Sequence, residues 1–295
     1  MEIWIYFTIL AAFMQAVRTA GQKQLSNHLN ATATTLARFL FALPLVWIYL
    51  YSIQYYQQID FPSLNSHFMK SATLAAAAQV IGTIFTIKAF GYQNFAVATS
   101  LVKTEAVLTA LLSVLMFDAV LSGFGWLSVV VGVIAVLILS KTDRNLASIF
   151  KSPAALYGVG AGLSFALATL WIRQASLQLE TDLILSAAYT LAFMVTLQSI
   201  TVLAYLVYKD KKQVAEMKQH WKLCCFIGGT SMLGSVGWFT ASSLQNAAYV
   251  KALGQIDFFF TLLITLKIFK ESISIREYLG MFLIILSVFI LLLLA

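Results

Sequence analysis

Long apolar stretches separated by short polar ones set the pattern of this chain. A helix that crosses a bilayer needs about 20 mostly apolar residues. Ten stretches meet that need, approximately 3–22, 33–53, 71–92, 96–117, 121–140, 154–174, 182–207, 223–243, 248–269 and 277–295. Helix is the element to expect, because inside lipid each backbone N–H and C=O must be satisfied within its own segment. The pattern therefore predicts an all-α membrane protein with ten transmembrane helices. The longest connection, near 208–222, contains KDKKQVAEMKQHWK and reads as a wet basic connector. The other sizeable one, QQIDFPSLNSHFMK, falls on the opposite side. Ser152-Pro153 reads as a helix start, with Ser as cap and Pro in the first turn. The first stretch does not read as a signal peptide: its flank carries Glu2 rather than a basic residue, its apolar run is long, and no clean small-residue cleavage site follows.

Composition sharpens this picture. Hydrophobic residues make up 60% of the 295-residue chain and charged residues 11%, with a mean hydropathy of +0.86. A soluble domain carries about 25% charge. The net charge of +7 lies mostly between apolar segments, so it does not form the continuous basic face that nucleic acid requires. Lys23, Lys141, Arg144, Lys151, Lys209, Lys211, Lys212, Lys218, Lys222, Lys267, Lys270 and Arg276 fall on the side of the odd-numbered connections. Lys70, Arg173 and Lys251 fall on the other. That bias predicts odd-numbered connections in the cytoplasm and both termini outside, in a plasma or inner membrane. Some of this basic charge is expected to meet anionic lipid. Cys224 and Cys225 are neighbours in an apolar run and read as small core residues.

The chain also matches itself. Under a gap-free shift of 152 residues, Phe13 falls on Phe165, Gln22 on Gln174, Phe41 on Phe193, Gly82 on Gly234, and Gln93-Asn94 on Gln245-Asn246. The shift carries each of the first five spans onto one of the last five. Five is odd, so the second half enters the membrane upside down. The expected organisation is a first five-helix repeat at 1–140, a cytoplasmic connector at 141–153 and a second repeat at 154–295. Inverted repeats are a device of secondary transporters, whose substrate site lies near the midplane where the halves meet.

Several pieces of sequence carry a family resemblance. They are the QK of Gln22-Lys23 ending span one, the RF of Arg38-Phe39 opening span two, and FKESISIREYLGMFLIILSVFIL from Phe269 to Leu291. The last has its counterpart in FDAVLSGFGWLSVVVGVIAVLIL in the first half. With five plus five spans, the chain resembles the drug/metabolite transporter superfamily, specifically its EamA group. The resemblance implies an inner-membrane carrier of small metabolites or drugs, often an exporter, with a central cavity, no cofactor and no covalent chemistry. Many relatives carry a proline near the middle of spans four and nine, where this chain has Glu105 and Asp257.

Those two acids are the leading candidates for function. Charge at mid-bilayer is costly. Glu105 lies about nine residues into span four, roughly 14 Å along it, and the repeat shift carries it onto Asp257 in span nine. Thr109 and Thr261 follow one turn on, on the faces of the acids. The expectation is a pair of carboxylates facing the central cavity, able to exchange protons or hold a cationic group. The alternative is that each acid is locked in a structural pair or packed in protonated form. Lys103 does not share Glu105's face; its long stem reaches another acid, a neighbouring helix's carbonyls or the cavity, where it and its polar repeat mate Gln255 are candidates to meet substrate. Arg18, Arg38 and Lys88 lie towards the cytoplasmic ends of their spans and either snorkel to the interface or form a cationic vestibule for an anionic substrate. Gln15, Gln79, Trp171, Trp238 and Tyr249 either line the cavity or pack as interfacial side chains. The two Gln-Asn pairs read as connectors and caps. The runs AAAA (75–78), GVGAG (158–162) and GGTSMLGSVG (228–237) read as close-packing surfaces.

Catalytic signatures are missing from the sequence. His28, His67 and His220 are far apart along the sequence, and no HExxH pair, Cys/His metal spacing, GxSxG elbow or P-loop occurs. The chain is therefore not expected to be an enzyme or to bind a metal or cofactor. Three functions compete: a proton-coupled exporter of amino-acid-like or drug-like compounds, an exchanger of organic anions or phosphate esters, and a non-transporting membrane scaffold. The acids favour the first, the basic vestibule favours the second, and the inverted repeat argues against the third. The expected partners are a small-molecule substrate, protons and the lipid bilayer; oligomeric state is open.

Overall fold

The computed structural model describes residues 2–58, 60–117, 122–139, 152–245, 250, 253–254 and 256–293. Regular structure among them is helical, with no strand. In chain order the helices are α1 (Ile3–Leu25), α2 (Ala31–Leu40), α3 (Leu43–Gln57), α4 (Ser66–Ala89), α5 (Phe95–Val102), α6 (Glu105–Phe117) and α7 (Gly123–Leu139). They continue with α8 (Pro153–Leu177), α9 (Leu183–Lys209), α10 (Lys211–Gln219), α11 (Trp221–Leu244), α12 (Asp257–Lys267) and α13 (Ile275–Leu293). Six segments are long and apolar enough to cross a membrane: α1, α2 with α3, α4, α8, α9 and α11; the stretch Gly123–Val136 is a shorter apolar helix. Ten spans is a larger count than these segments establish.

Polar residues at the helix starts do what their chemistry allows. Asn30 Oδ1 accepts from Ala33 N at 2.9 Å to cap α2. Asn94 Oδ1 accepts from Val97 N at 2.9 Å to cap α5, so the first Gln-Asn pair supplies a cap as expected. Asp182 caps α9 through Ile184 N and Leu185 N. Ser152 Oγ accepts from Ala155 N, and α8 begins at Pro153 as the sequence signal predicts.

Two compact units make up the described chain, and each draws on both halves of the sequence. Unit 1 comprises Met1–Val80 and Ala168–Asp257. Its core combines Phe39, Val46, Leu50 and Phe68 with Leu185, Leu191 and Met194. A second cluster joins Leu25, Leu29 and Leu36 to Val202, Leu206, Met217 and Ile227. Within this unit α1 runs along α11, and glycines set the distance between them. A Cβ on Gly237 would lie 2.7 Å from Phe7 O and 2.8 Å from Ala11 Cβ, closer than real carbon atoms pack. The run at 228–237 is therefore a packing surface, as its small residues suggest.

Unit 2 comprises Ile81–Leu167 and Phe258–Ala295. Its core sets Val97, Leu101, Ala135 and Leu139 against Met281 and Ile284, with α7 packed on α13. The side chain of Glu271, in the acidic FKES stretch, accepts from Phe95 N at 2.8 Å. A carboxylate there satisfies an unpaired N–H and meets the positive end of α5. Glu271→Ala should lower unfolding stability by about 1 kcal/mol, and Glu271→Gln should restore part of it, because Gln keeps an acceptor oxygen. Thermal unfolding of the two variants in detergent tests this; equal loss in both would show that the acceptor is not what matters.

Candidate functional site

The span expected at 96–117 is not one helix. It breaks after Val102, and α6 restarts at Glu105. Lys103 N bonds Ser100 O at 3.0 Å and Thr104 N bonds Leu101 O at 3.3 Å, a tightened last turn. Thr104 Oγ1 also donates to Leu101 O at 2.8 Å. The break rests on Gly162 of α8: a Cβ there would come within 2.5 Å of Thr104 Oγ1 and 3.0 Å of Val102 O. In the second half, Asp257 is likewise the first residue of α12. Both acids thus begin a helix rather than interrupt one. That corrects the expectation of carboxylates inside continuous spans. At a helix N-terminus the macrodipole favours negative charge, which lowers the cost of the acid and explains why this chain tolerates it twice.

Asp257 sits in a built polar site of unit 1. Trp238, on α11, donates from Nε1 to Gln15 Oε1 at 2.9 Å. Gln15, on α1, donates from Nε2 to Asp257 Oδ2 at 3.1 Å. The chemistry fixes the orientation of the amide. An indole N–H can only donate, so Gln15 must turn its oxygen to Trp238 and its NH₂ to the acid. The indole lies directly on Gly254, where a Cβ would overlap its six-membered ring.

The polar ridge continues along α1. Arg18 and Gln22 follow Gln15 at three and seven residues, the spacing of one helix face. Arg18 is 6% exposed, Gln22 3% and Asp257 6%, so this ridge is interior. Arg18 lies within electrostatic reach of Asp257. Arg38, 5% exposed, lies within reach of Arg18 and stands 5.1 Å from the centre of the Phe39 ring. Both arginines are buried rather than extended to an interface. Arg18, Arg38, Gln15, Trp238 and Asp257, five of the residues singled out in the sequence, are thus brought together.

Other candidates stand elsewhere. Gln79 accepts from Gln198 Nε2 at 2.9 Å, a bridge between α4 and α9. Trp171 packs on the unit 1 core. In unit 2, Lys103 caps the end of α5, Glu105 is half-buried, and Thr109 Oγ1 donates to Glu105 O at 2.7 Å. Thr261 is buried on α12, and its carbonyl accepts from Thr265 Oγ1 at 2.8 Å. Lys88 is exposed, with Nζ 5.3 Å from the centre of the Tyr157 ring. Tyr249 and Gln255 lie outside the described residues. Among the described residues no cluster of His, Cys, Asp and Glu is placed to hold a metal ion. Sequence reading passed over Gln198 and did not place Gln22 in a site. For Gln22 the signal was available: three polar residues share one face of an apolar helix.

The model of the EamA-like transporter family matches residues 2–141 and 152–293. No curated protein matches the chain. A solved structure described only as "Crystal structure of protein" aligns over 99% of this chain and 96% of its own, with a TM-score of 0.60 and 13% identity. At that identity the likeness speaks to fold alone. The six long apolar segments and the two family matches together make this chain an integral membrane protein that belongs to the EamA-like transporter family.

Proposed function

We propose that the protein is a secondary transporter of small metabolites or drugs, built as ten spans in two inverted repeats, 1–140 and 154–295, with both termini outside the cell. In this reading it exports amino-acid-like or drug-like compounds and couples their movement to protons. One observation carries it: a buried carboxylate, Asp257, held by the Trp238–Gln15 chain and facing the charge of Arg18. A carboxylate in a water-poor site changes its proton occupancy with its surroundings, so a rearrangement that alters its contacts couples protons to substrate. Glu105 is its counterpart in the first half.

The test is transport by the purified protein in proteoliposomes with and without an imposed pH gradient. Acceleration of uptake by the gradient supports coupling, and equal rates with and without it refute it. The buried pair Arg18 and Arg38 favours a second reading, exchange of organic anions or phosphate esters. In that reading Lys103→Ala should slow anion exchange by about tenfold or more, the loss of one charge-assisted contact. Unchanged exchange by that variant would remove Lys103 from the anion path.

A further inference from the structure

Two buried donors on the α1 ridge have work left to do. Arg18 Nε and Gln22 Nε2 are sealed from solvent and have no hydrogen-bond partner among the described residues. Both side chains are more than nine-tenths buried. Folded proteins rarely leave one such group unsatisfied, and here two stand one turn apart on the same helix face. Both are donors, so the group that matches them is an acceptor. A guanidinium beside an amide NH₂ suits a planar acceptor with two oxygens.

Charge narrows the choice. Arg18 and Arg38 contribute two buried positive charges, and Asp257 is the one buried acid of unit 1 among the described residues. The arginine field attracts an anion, and Asp257 beside it disfavours a second negative charge on the bound group. We propose that Arg18 and Gln22 form the subsite for a carboxylate group of the transported solute, with Arg38 strengthening the field and Asp257 limiting the bound group to a single negative charge. The proposal rests on the transport reading and names a chemical class for its substrate.

The test uses the full chain in detergent and follows the thermal unfolding midpoint. Benzoate, lactate and acetate are the probes, their amides the neutral controls, and dianionic phosphate the charge control. At least one carboxylate should raise the midpoint saturably, while its amide and phosphate do not. Arg18→Gln should weaken that carboxylate by about 30-fold, the loss of a charge-assisted pair of hydrogen bonds. Asp257→Asn should tighten it, because a competing negative charge is gone. Gln22→Glu is decisive without any ligand. It builds a carboxylate in beside Arg18, so it should raise the ligand-free midpoint and abolish the carboxylate response. A lower ligand-free midpoint in Gln22→Glu overturns the proposal, as does a wild type that responds to no carboxylate or equally to the amides. Loss of the carboxylate response with gradient-driven transport intact would remove the subsite and leave the transport reading standing. The response without any transport would do the reverse.

Discussion

Asp257→Asn should insert and fold yet lose most of the response of transport to an imposed pH gradient. The expected drop in gradient stimulation is about 5–150-fold, the range spanned by coupling free energies of roughly 1–3 kcal/mol. The asparagine keeps an oxygen for Gln15 Nε2, so the chain from Trp238 through Gln15 retains its geometry. What disappears is the carboxylate to which the proposal assigns proton exchange. The substitution also strips Arg18 of a nearby negative charge. Arg18 is then left buried without that compensating charge, so the variant should melt at lower temperature. Adding Arg18→Gln should recover part of that loss, since the double variant buries neither charge; a simple sum of the single effects would deny that the two groups interact. Glu105→Gln provides the parallel test in the first half. Gradient stimulation at wild-type level in both acid variants would remove the coupling role.

Much of the fold was legible in the sequence because lipid leaves the backbone few options. Apolar runs of sufficient length become helices whatever their detailed residues. Local signals held for the same reason: Asn94 and Ser152 supply acceptors where N–H groups would otherwise go unpaired. The break inside the 96–117 stretch was not legible. Nothing between Phe95 and Phe117 is Gly or Pro, so no breaker marks Lys103-Thr104. What permits the break lies far away in the chain, in the bare backbone of Gly162 beneath Thr104 and Val102. A run such as GVGAG announces close packing, but not which segment will approach or in what conformation.

The candidate site divides in the same way. Its residue types were visible, because a Gln, an Arg or an Asp in an apolar run is expensive enough to draw attention. Their grouping was not, since Gln15, Trp238 and Asp257 come from three separate helices. The repeat shift pairs Glu105 with Asp257, yet it carries no information about Gln15 or Trp238, whose equivalents at 167 and 86 are Leu167 and Thr86. Symmetry of sequence located the acids, and tertiary contact alone supplied the chain of hydrogen bonds.

A large effect on folding should come from Gly228, and its neighbour supplies the control. A Cβ on Gly228 would lie 2.5 Å from both Phe41 C and Phe41 Cβ, and 2.7 Å from Phe41 O. Two of those atoms are backbone and cannot rotate away. Gly228→Ala should therefore cost about 1–3 kcal/mol, the scale of overpacking, and Gly228→Leu more, by forcing α11 away from the turn between α2 and α3. A Cβ on Gly229, one residue on, meets nothing within 4 Å. There Gly→Ala should be neutral or should stabilise by up to about 1 kcal/mol, because alanine restricts the unfolded chain and favours helix. Thermal unfolding of the purified variants gives both signs in one experiment. Equal effects at the two positions would mean that close approach at Gly228 does not hold α11 in place. Opposite signs would show that backbone proximity, rather than glycine's flexibility, is what this helix uses, and that the packing which aligns Trp238 with Gln15 begins nearly three turns away.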